Sequence, residues 1–175
     1  QDAVDLTSAA VAAGFTNVLV LPPFYYKNPS DEGLYAYFSQ LIEKVGDDRL
    51  RVYLYHFPQM SMTPIPVDVV VRLKQAFGPV VAGLKDSSGD MSQALAFAKA
   101  TGGVDADFDV YPSSESFLFE GLAGGCAGII SGSTNDTTLS RHSLEHSTRI
   151  CARIRSPAAG TELSLRGCAR AARCG

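Results

Sequence analysis

Two periods alternate along the chain. Residues 3 to 13 carry Ala, Val and Leu at helical spacing and stop at Gly14, a residue that readily ends a helix. Val18-Leu19-Val20-Leu21 then runs apolar into Pro22-Pro23, which predicts a buried strand closed by proline. Ser30-Asp31-Glu32 caps a helix to about Val45, with Leu34, Phe38, Leu41, Ile42 and Val45 on one stripe and Gly46-Asp47-Asp48 beyond it. The cycle repeats with a strand from Val52 to Phe57, a helix from about Pro66 to Phe77 and a strand from Val80 to Leu84. A helix from about Met91 to Ala100, the strand Phe108 to Tyr111, a helix from about Ser116 to Leu122 and the strand Ala127 to Ser131 complete the series.

Five strands alternating with helices predict a parallel sheet covered by helices, either an open doubly wound sheet or part of a (β/α)8 barrel. No glycines stand at G-x-G-x-x-G spacing and no G-x-x-x-x-G-K-[ST] loop is present, which weighs against the nucleotide-binding open sheets. Polar and aromatic residues instead gather after several strands: Tyr25 and Tyr26, Tyr55 and His56, Lys85 and Asp86, Ser113 to Glu115, Ser131 to Asn135. Barrel enzymes collect their chemistry from several strand ends in this way. The fold class expected is therefore α/β, a partial (β/α)8 TIM barrel of about five of the eight βα units, over residues 1–138. The chain opens at Gln1 inside a helical pattern, and a whole barrel needs roughly 250 residues, so further sequence is expected upstream.

Composition adds a boundary. With 46% hydrophobic and 19% charged residues the 175-residue chain has a globular balance. It has no apolar stretch approaching the roughly 20 residues that span a bilayer, and no basic start of a secretory signal. The expectation is a cytoplasmic protein with no membrane partner. The net charge of −3 hides a split: 8 basic against 16 acidic residues through Thr138, then 7 against 2. From Leu139 every basic residue is Arg, no aromatic appears, and Cys151, Cys168 and Cys174 fall there. Residues 139–175 are read as an Arg/Cys-rich tail distinct from the barrel, disordered or translated out of frame. The tail lacks aromatics to stack on bases and any nucleic-acid motif, so no nucleic-acid partner is expected. His142-Ser143-Leu144-Glu145-His146 has the H-x-x-E-H form of an inverted zinc-protease site. Five residues produce it by composition alone, and no metal is expected.

Lys85 ends the apolar run Val80-Val81-Ala82-Gly83-Leu84 and opens the polar loop Asp86-Ser87-Ser88-Gly89-Asp90. An amine at the C-terminal mouth of a buried strand can shed its proton and attack a carbonyl to form a Schiff base; a solvated flank or an ion pair with Asp86 is the plainer reading. Tyr55 ends the preceding strand, where a phenol reaches the same mouth and can carry a proton.

Five blocks in order carry a resemblance: Leu21-Pro22-Pro23-Phe24-Tyr25-Tyr26, Asp31-Glu32-Gly33-Leu34-Tyr35, Tyr55-His56-Phe57-Pro58, Gly83-Leu84-Lys85-Asp86-Ser87-Ser88-Gly89-Asp90, and Gly124-Gly125 through Gly128-Ile129-Ile130-Ser131. From about Ala3 to Asn135 the chain resembles the pyruvate-dependent class I aldolases and lyases that include dihydrodipicolinate synthase and N-acetylneuraminate lyase. The resemblance implies that Lys85 is the Schiff-base lysine, that Tyr55 relays protons, and that the main-chain carbonyl of Ile130 faces the pyruvyl group. The tyrosine that members insert into a neighbouring subunit's site matches Tyr25 on the prolines, which is preferred, or Tyr26 on the downstream helix. It further implies a 2-oxo acid such as pyruvate as partner, a homo-oligomeric parent protein and no cofactor. Two departures matter. The family's threonine-rich carboxylate-binding loop has no counterpart, and the arginine that follows Tyr-x-x-Pro in the synthase is replaced by Gln59-Met60-Ser61-Met62-Thr63. The second points to an aldolase or lyase with another acceptor; the first leaves open a catalytically inactive fragment or pseudo-enzyme.

Overall fold

A computed structural model describes residues 2–25 and 27–132. Its helices are α1 (Asp2–Ala12), α2 (Asp31–Val45), α3 (Pro58–Ser61), α4 (Val67–Phe77), α5 (Met91–Thr101) and α6 (Leu118–Ala123), and its strands β1 (Asn17–Val20), β2 (Arg51–His56), β3 (Val81–Asp86) and β4 (Asp109–Pro112). All strand pairs are parallel and the sheet order is β1-β2-β3-β4. Sequence neighbours are thus spatial neighbours throughout, and α1 packs on α2, α2 on α4, and α4 on α5. A sheet wound in one direction with its helices side by side is an arc of a (β/α)8 barrel; a doubly wound sheet reverses its strand order and places helices on both faces. Among the described residues no helix is long and apolar enough to cross a membrane.

Local chemistry sets the helix ends. The Ser30 hydroxyl accepts the Gly33 N–H at 3.1 Å at the start of α2, a cap worth about 1 kcal/mol. Gly46, at φ +58°, closes the same helix by donating to the Ile42 carbonyl. Asp90 caps α5 by accepting the Ser92 N–H at 2.9 Å. The helices cover one face of the sheet, burying Leu34, Phe38, Leu41, Leu73 and Phe97 against Val52, Leu54, Leu84 and Val110.

One residue decides which side chains reach the other face. Val52 pairs with Val81, but Tyr53 pairs with Gly83, so Ala82 is an extra residue in β3. Beyond this bulge Leu54 stands opposite Leu84, Tyr55 opposite Lys85, and His56 opposite Asp86. Leu54, Leu84, His56 and Asp86 are buried under the helices, while Tyr55 and Lys85 are half-buried on the inner face. If Ala82 paired with Tyr53 and the ladder continued unbroken, Lys85 would stand against His56, since a one-residue slip exchanges the faces of a strand.

The expected strand Ala127 to Ser131 does not form. Ala127 N–H donates to the Val110 carbonyl at 3.0 Å and Ile130 N–H to that of Pro112 at 3.1 Å, so the segment runs beside β4 without a ladder. Ladder donors stand two residues apart; these are three apart, with Gly128 between them. The short helix α3 lies between the strand and the helix that the sequence predicts, where it predicts no element. Thr138 and the tail that follows lie outside the described residues, as do Tyr26 and His142 to His146.

Behind the sheet, His56 Nδ1 accepts the Ile65 N–H at 3.1 Å, which assigns the ring proton to Nε2, 4.0 Å from Asp86 Oδ1. The ring lies edge-on to Phe97. Burial pushes the His56 imidazole down to about 4. An unfolded histidine charges near pH 6.5, so as pH falls from about 6.5 to 4 the unfolded chain takes up a proton that the folded chain refuses. That withdraws stability, by about 3 kcal/mol in full. Burial raises the Asp86 carboxyl, despite the hydrogen bonds from Ser88 that oppose it, and this works the other way, blunting the loss at the acid end. We expect urea midpoints of the full chain to fall between pH 6.5 and 4, and those of His56→Asn to fall less; parallel curves for the two proteins reject the assignment. Gly83 gives a second expectation. A Cβ there lies 2.2 Å from the Asp109 carbonyl oxygen and 2.7 Å from the Tyr53 ring, so Gly83→Ala is expected to cost about 3 kcal/mol, read from the same denaturation curves. An unchanged midpoint contradicts the close approach.

Candidate active site

The inner face is built by alternation along three strands. Tyr53 and Tyr55 come from β2, Gly83 and Lys85 from β3, Asp109 and Tyr111 from β4, and the register sets them in two rows: Tyr53, Gly83 and Asp109 below, Tyr55, Lys85 and Tyr111 above. The upper row lies at the C-terminal ends of the strands, the end where barrels place chemistry.

In that row Lys85 Nζ donates to the Tyr55 hydroxyl at 3.1 Å and sits 4.4 Å from the centre of its ring. Tyr55 is stacked on Phe57 with ring centres 5.5 Å apart. Burial pushes the Tyr55 phenol up, but hydrogen bonds with Ser87 and Lys85 and the Lys85 charge together outweigh it and leave the phenol below its usual value. Its two neighbours move oppositely. Burial, the Asp109 charge and the hydrogen bond to that carboxylate push Tyr53 up to about 12, with Arg51 acting against them. Tyr111 is raised chiefly by burial, then by the Asp109 and Tyr53 charges. Of these three phenols, Tyr55 alone is shifted below its usual value.

The surrounding loops are tied to the sheet. Ser87 N–H donates to the His56 carbonyl at 2.8 Å. Asp86 holds the loop after β3 by accepting Ser88 N–H at 2.9 Å and its hydroxyl at 3.0 Å. The Gln59 amide donates to the Ser88 carbonyl, joining the loops after β2 and β3. Lys27 donates to the Phe24 carbonyl and, at 3.4 Å, to that of Ser61, joining the loops after β1 and β2.

The residues singled out in the sequence fall in three places. Lys85 and Tyr55 meet directly. Ile130, 39% exposed, is fixed through its N–H beside the end of β4, at the same mouth. Tyr25 is 80% exposed and lines a groove of about 460 Å³ between α1 and β1 with Leu6, Leu19 and Leu21, a groove that includes neither Lys85 nor Tyr55. Sequence reasoning missed Ser87, Tyr53, Asp109 and Tyr111. The signal was the i, i+2 spacing of Tyr53 with Tyr55 and of Asp109 with Tyr111, which places each pair on one face of its strand. Ser131, beyond Ile130, donates to Glu115 at 2.6 Å across the mouth of β4.

Comparison with known proteins agrees with this geometry. Residues 1–146 match the dihydrodipicolinate synthetase family. An uncharacterized DapA-like lyase of Chloroflexus aurantiacus is 36% identical over 129 residues, which is 74% of this chain and 42% of that protein. The crystal structure of dihydrodipicolinate synthase from Agrobacterium tumefaciens superposes with a TM-score of 0.71 at 39% identity, covering 78% of this chain and 46% of that one. YagE of E. coli K12, a member of the same family solved in complex with pyruvate, superposes with a TM-score of 0.72 at 27% identity over 83% of this chain and 47% of its own. The chain spans less than half the length of each of these relatives. Matched over most of its length by sequence and by fold, the chain belongs to the dihydrodipicolinate synthetase family.

Proposed function

We propose that the protein is a Schiff-base lyase or aldolase acting on pyruvate or a longer 2-oxo acid. The observation that carries this reading is the 3.1 Å contact between the Lys85 amine and the Tyr55 hydroxyl at the strand mouth, with Tyr55 holding its proton less tightly than an ordinary phenol. In this mechanism the neutral Lys85 amine adds to the keto carbon. The keto oxygen leaves as water, taking protons that Tyr55 relays, and the nitrogen is left as a cationic iminium. That cation accepts the electron pair released when the substrate's carbon–carbon bond breaks, giving an enamine; in the synthetic direction the enamine attacks an aldehyde. The Ile130 carbonyl is assigned to the bound pyruvyl group and Tyr25 to a neighbouring subunit's site. On the family alone we carry over a homo-oligomer working in the cytoplasm.

The acceptor is assigned away from that of the synthase. Behind Tyr-x-x-Pro the chain places Gln59, whose amide is engaged with Ser88; α3 carries no cation of its own, and the Lys27 ammonium that reaches it is engaged with the Phe24 and Ser61 carbonyls. A neutral amide does not supply the charge that a second carboxylate calls for, which favours a sugar-acid or other aldehyde partner.

A second reading follows from the family's threonine-rich carboxylate-binding loop, which has no counterpart in these 175 residues: the chain captures a 2-oxo acid without turning it over. One experiment separates the two. Incubation of the full chain with pyruvate and borohydride is expected to leave a reduced adduct on Lys85, identified by peptide mass spectrometry and absent from Lys85→Arg. A wild-type chain unlabelled at saturating pyruvate overturns both readings. Exchange of the pyruvate methyl protons with deuterated water, followed by NMR, then reports enamine formation. Tyr55→Phe is expected to slow it by about 10²- to 10³-fold while the adduct still forms. An adduct without exchange in the wild type favours capture alone, and equal exchange in wild type and Tyr55→Phe removes Tyr55 from the relay.

A further inference from the structure

Directly beneath the Lys85–Tyr55 pair lies a charge that the mechanism above does not use. The Tyr53 ring crosses β3 at Gly83, the one residue type that leaves room for it, and its hydroxyl donates to Asp109 Oδ2 at 3.1 Å. Tyr111, next to Lys85 in the register, tilts against the Tyr53 ring with centres 6.0 Å apart, and the Asp109 charge helps to raise its phenol. The carboxylate is therefore held by the Tyr53 phenol, whose ring is braced by Tyr111. Barrel interiors are ordinarily filled by Val, Ile and Leu, which carry no desolvation cost. A clamped carboxylate in such a row calls for a positive charge to balance.

We propose that Asp109 is a positioning residue that stabilises the cationic iminium formed on Lys85. The proposal rests on the Schiff-base reading of Lys85. Asp109 stands opposite Gly83, one strand over and two residues below Lys85 on the same face, a diagonal on the order of 8 Å from strand spacing and rise. In a half-buried setting a fixed charge at that range moves a cation's titration by about one pH unit. The charged and titratable groups around it on this face are Tyr53, Tyr55 and Arg51 from β2, Lys85 from β3 and Tyr111 from β4, with Glu115 at the mouth beyond β4. Arg51 donates to the carbonyls of Asp48 and Leu50 at the bottom of the sheet. This leaves Lys85 as the cation of the upper row. The clamp matters because it costs nothing at the moment of reaction: the Tyr53 phenol has already oriented the carboxylate before the amine becomes an iminium.

Borohydride reduces the protonated imine, delivering hydride to the former keto carbon and leaving a secondary amine on Lys85. The pH dependence of trapping therefore follows the iminium. The test is the alkaline limb of pyruvate trapping at Lys85 in the full chain, measured by peptide mass spectrometry. In Asp109→Asn, which keeps shape and hydrogen bonding but removes the charge, the limb is expected about one pH unit lower than in the wild type. Asp109→Glu, which restores the charge, is expected to bring it back. A limb that coincides with the wild type in Asp109→Asn overturns the proposal and leaves the Schiff base standing. Absence of trapping in the wild type overturns both, which distinguishes the two failures. If Asp109→Asn does not fold, Asp109→Ser decides, because it also removes the charge while leaving a smaller polar side chain. A limb about one pH unit below the wild type supports the charge, and one that coincides with the wild type overturns the proposal.

Discussion

The arrangement depends on one extra residue in one strand. Ala82 interrupts the pairing of β2 with β3 and advances everything after it by one position. Because side chains alternate faces, that advance determines what lies above the sheet and what lies beneath it. Beyond the bulge two apolar residues, Leu54 and Leu84, meet on the helix side; Tyr55 and Lys85 meet on the inner side; His56 and Asp86 meet behind them. All three pairings are chemically matched. Continuing the pairing before the bulge puts Leu84 against Tyr55 and Lys85 against His56, so the same residues yield neither a closed core nor a phenol–amine pair. Bulges next to functional residues re-aim side chains, and here the re-aimed residue is the lysine proposed to form the Schiff base.

The two faces of this strand end operate under opposite electrostatic conditions, and the hidden one supports the open one. Behind the sheet, burial keeps His56 uncharged and raises Asp86. Both accept hydrogen bonds from neighbouring loops: His56 from the Ile65 N–H, and Asp86 from the Ser88 N–H and hydroxyl. The His56 carbonyl also takes the Ser87 N–H. Ser87 is the residue whose hydroxyl helps lower the Tyr55 phenol on the other face. The loop that tunes Tyr55 is therefore anchored by groups that never reach the site. Functional geometry of this kind is only as good as the shell that holds it.

Most of the element order was legible in the sequence, because buried parallel strands read as apolar runs and their covering helices as stripes. The strand ends were legible too, and with them Lys85 and Tyr55. What was not legible was pairing. Nothing in Val80-Val81-Ala82-Gly83 distinguishes a regular strand from a bulged one, since a bulge is a relation between two strands. Ala127 to Ser131 read as a strand from its composition, yet Gly128 spoils its ladder. Tyr53 read as part of an apolar run, and only the register reveals that its ring crosses a glycine to find a carboxylate two strands away. Tyr25 shows the converse. Its motif position was clear, while its exposed place beside α1 follows from the course of the chain after Pro22-Pro23.

Three tyrosines on one face, with two shifted up and one down, show how little sequence identity says about proton chemistry. Tyr53 and Tyr55 are two residues apart on the same strand and similarly half-buried. Burial pushes both phenols up; a carboxylate adds to it at Tyr53, while a serine hydroxyl and an ammonium overcome it at Tyr55. A phenol beside a carboxylate holds its proton more tightly, and a phenol beside an ammonium holds it less tightly. The placement of opposite charges in adjacent rows thus sets a fixed Tyr53–Asp109 pair against a Tyr55–Lys85 pair whose phenol is eased toward ionisation. Because Gly83 brings the fixed pair against β3 and Ala82 turns Lys85 into the other one, the division is set by two small residues that carry no chemistry of their own.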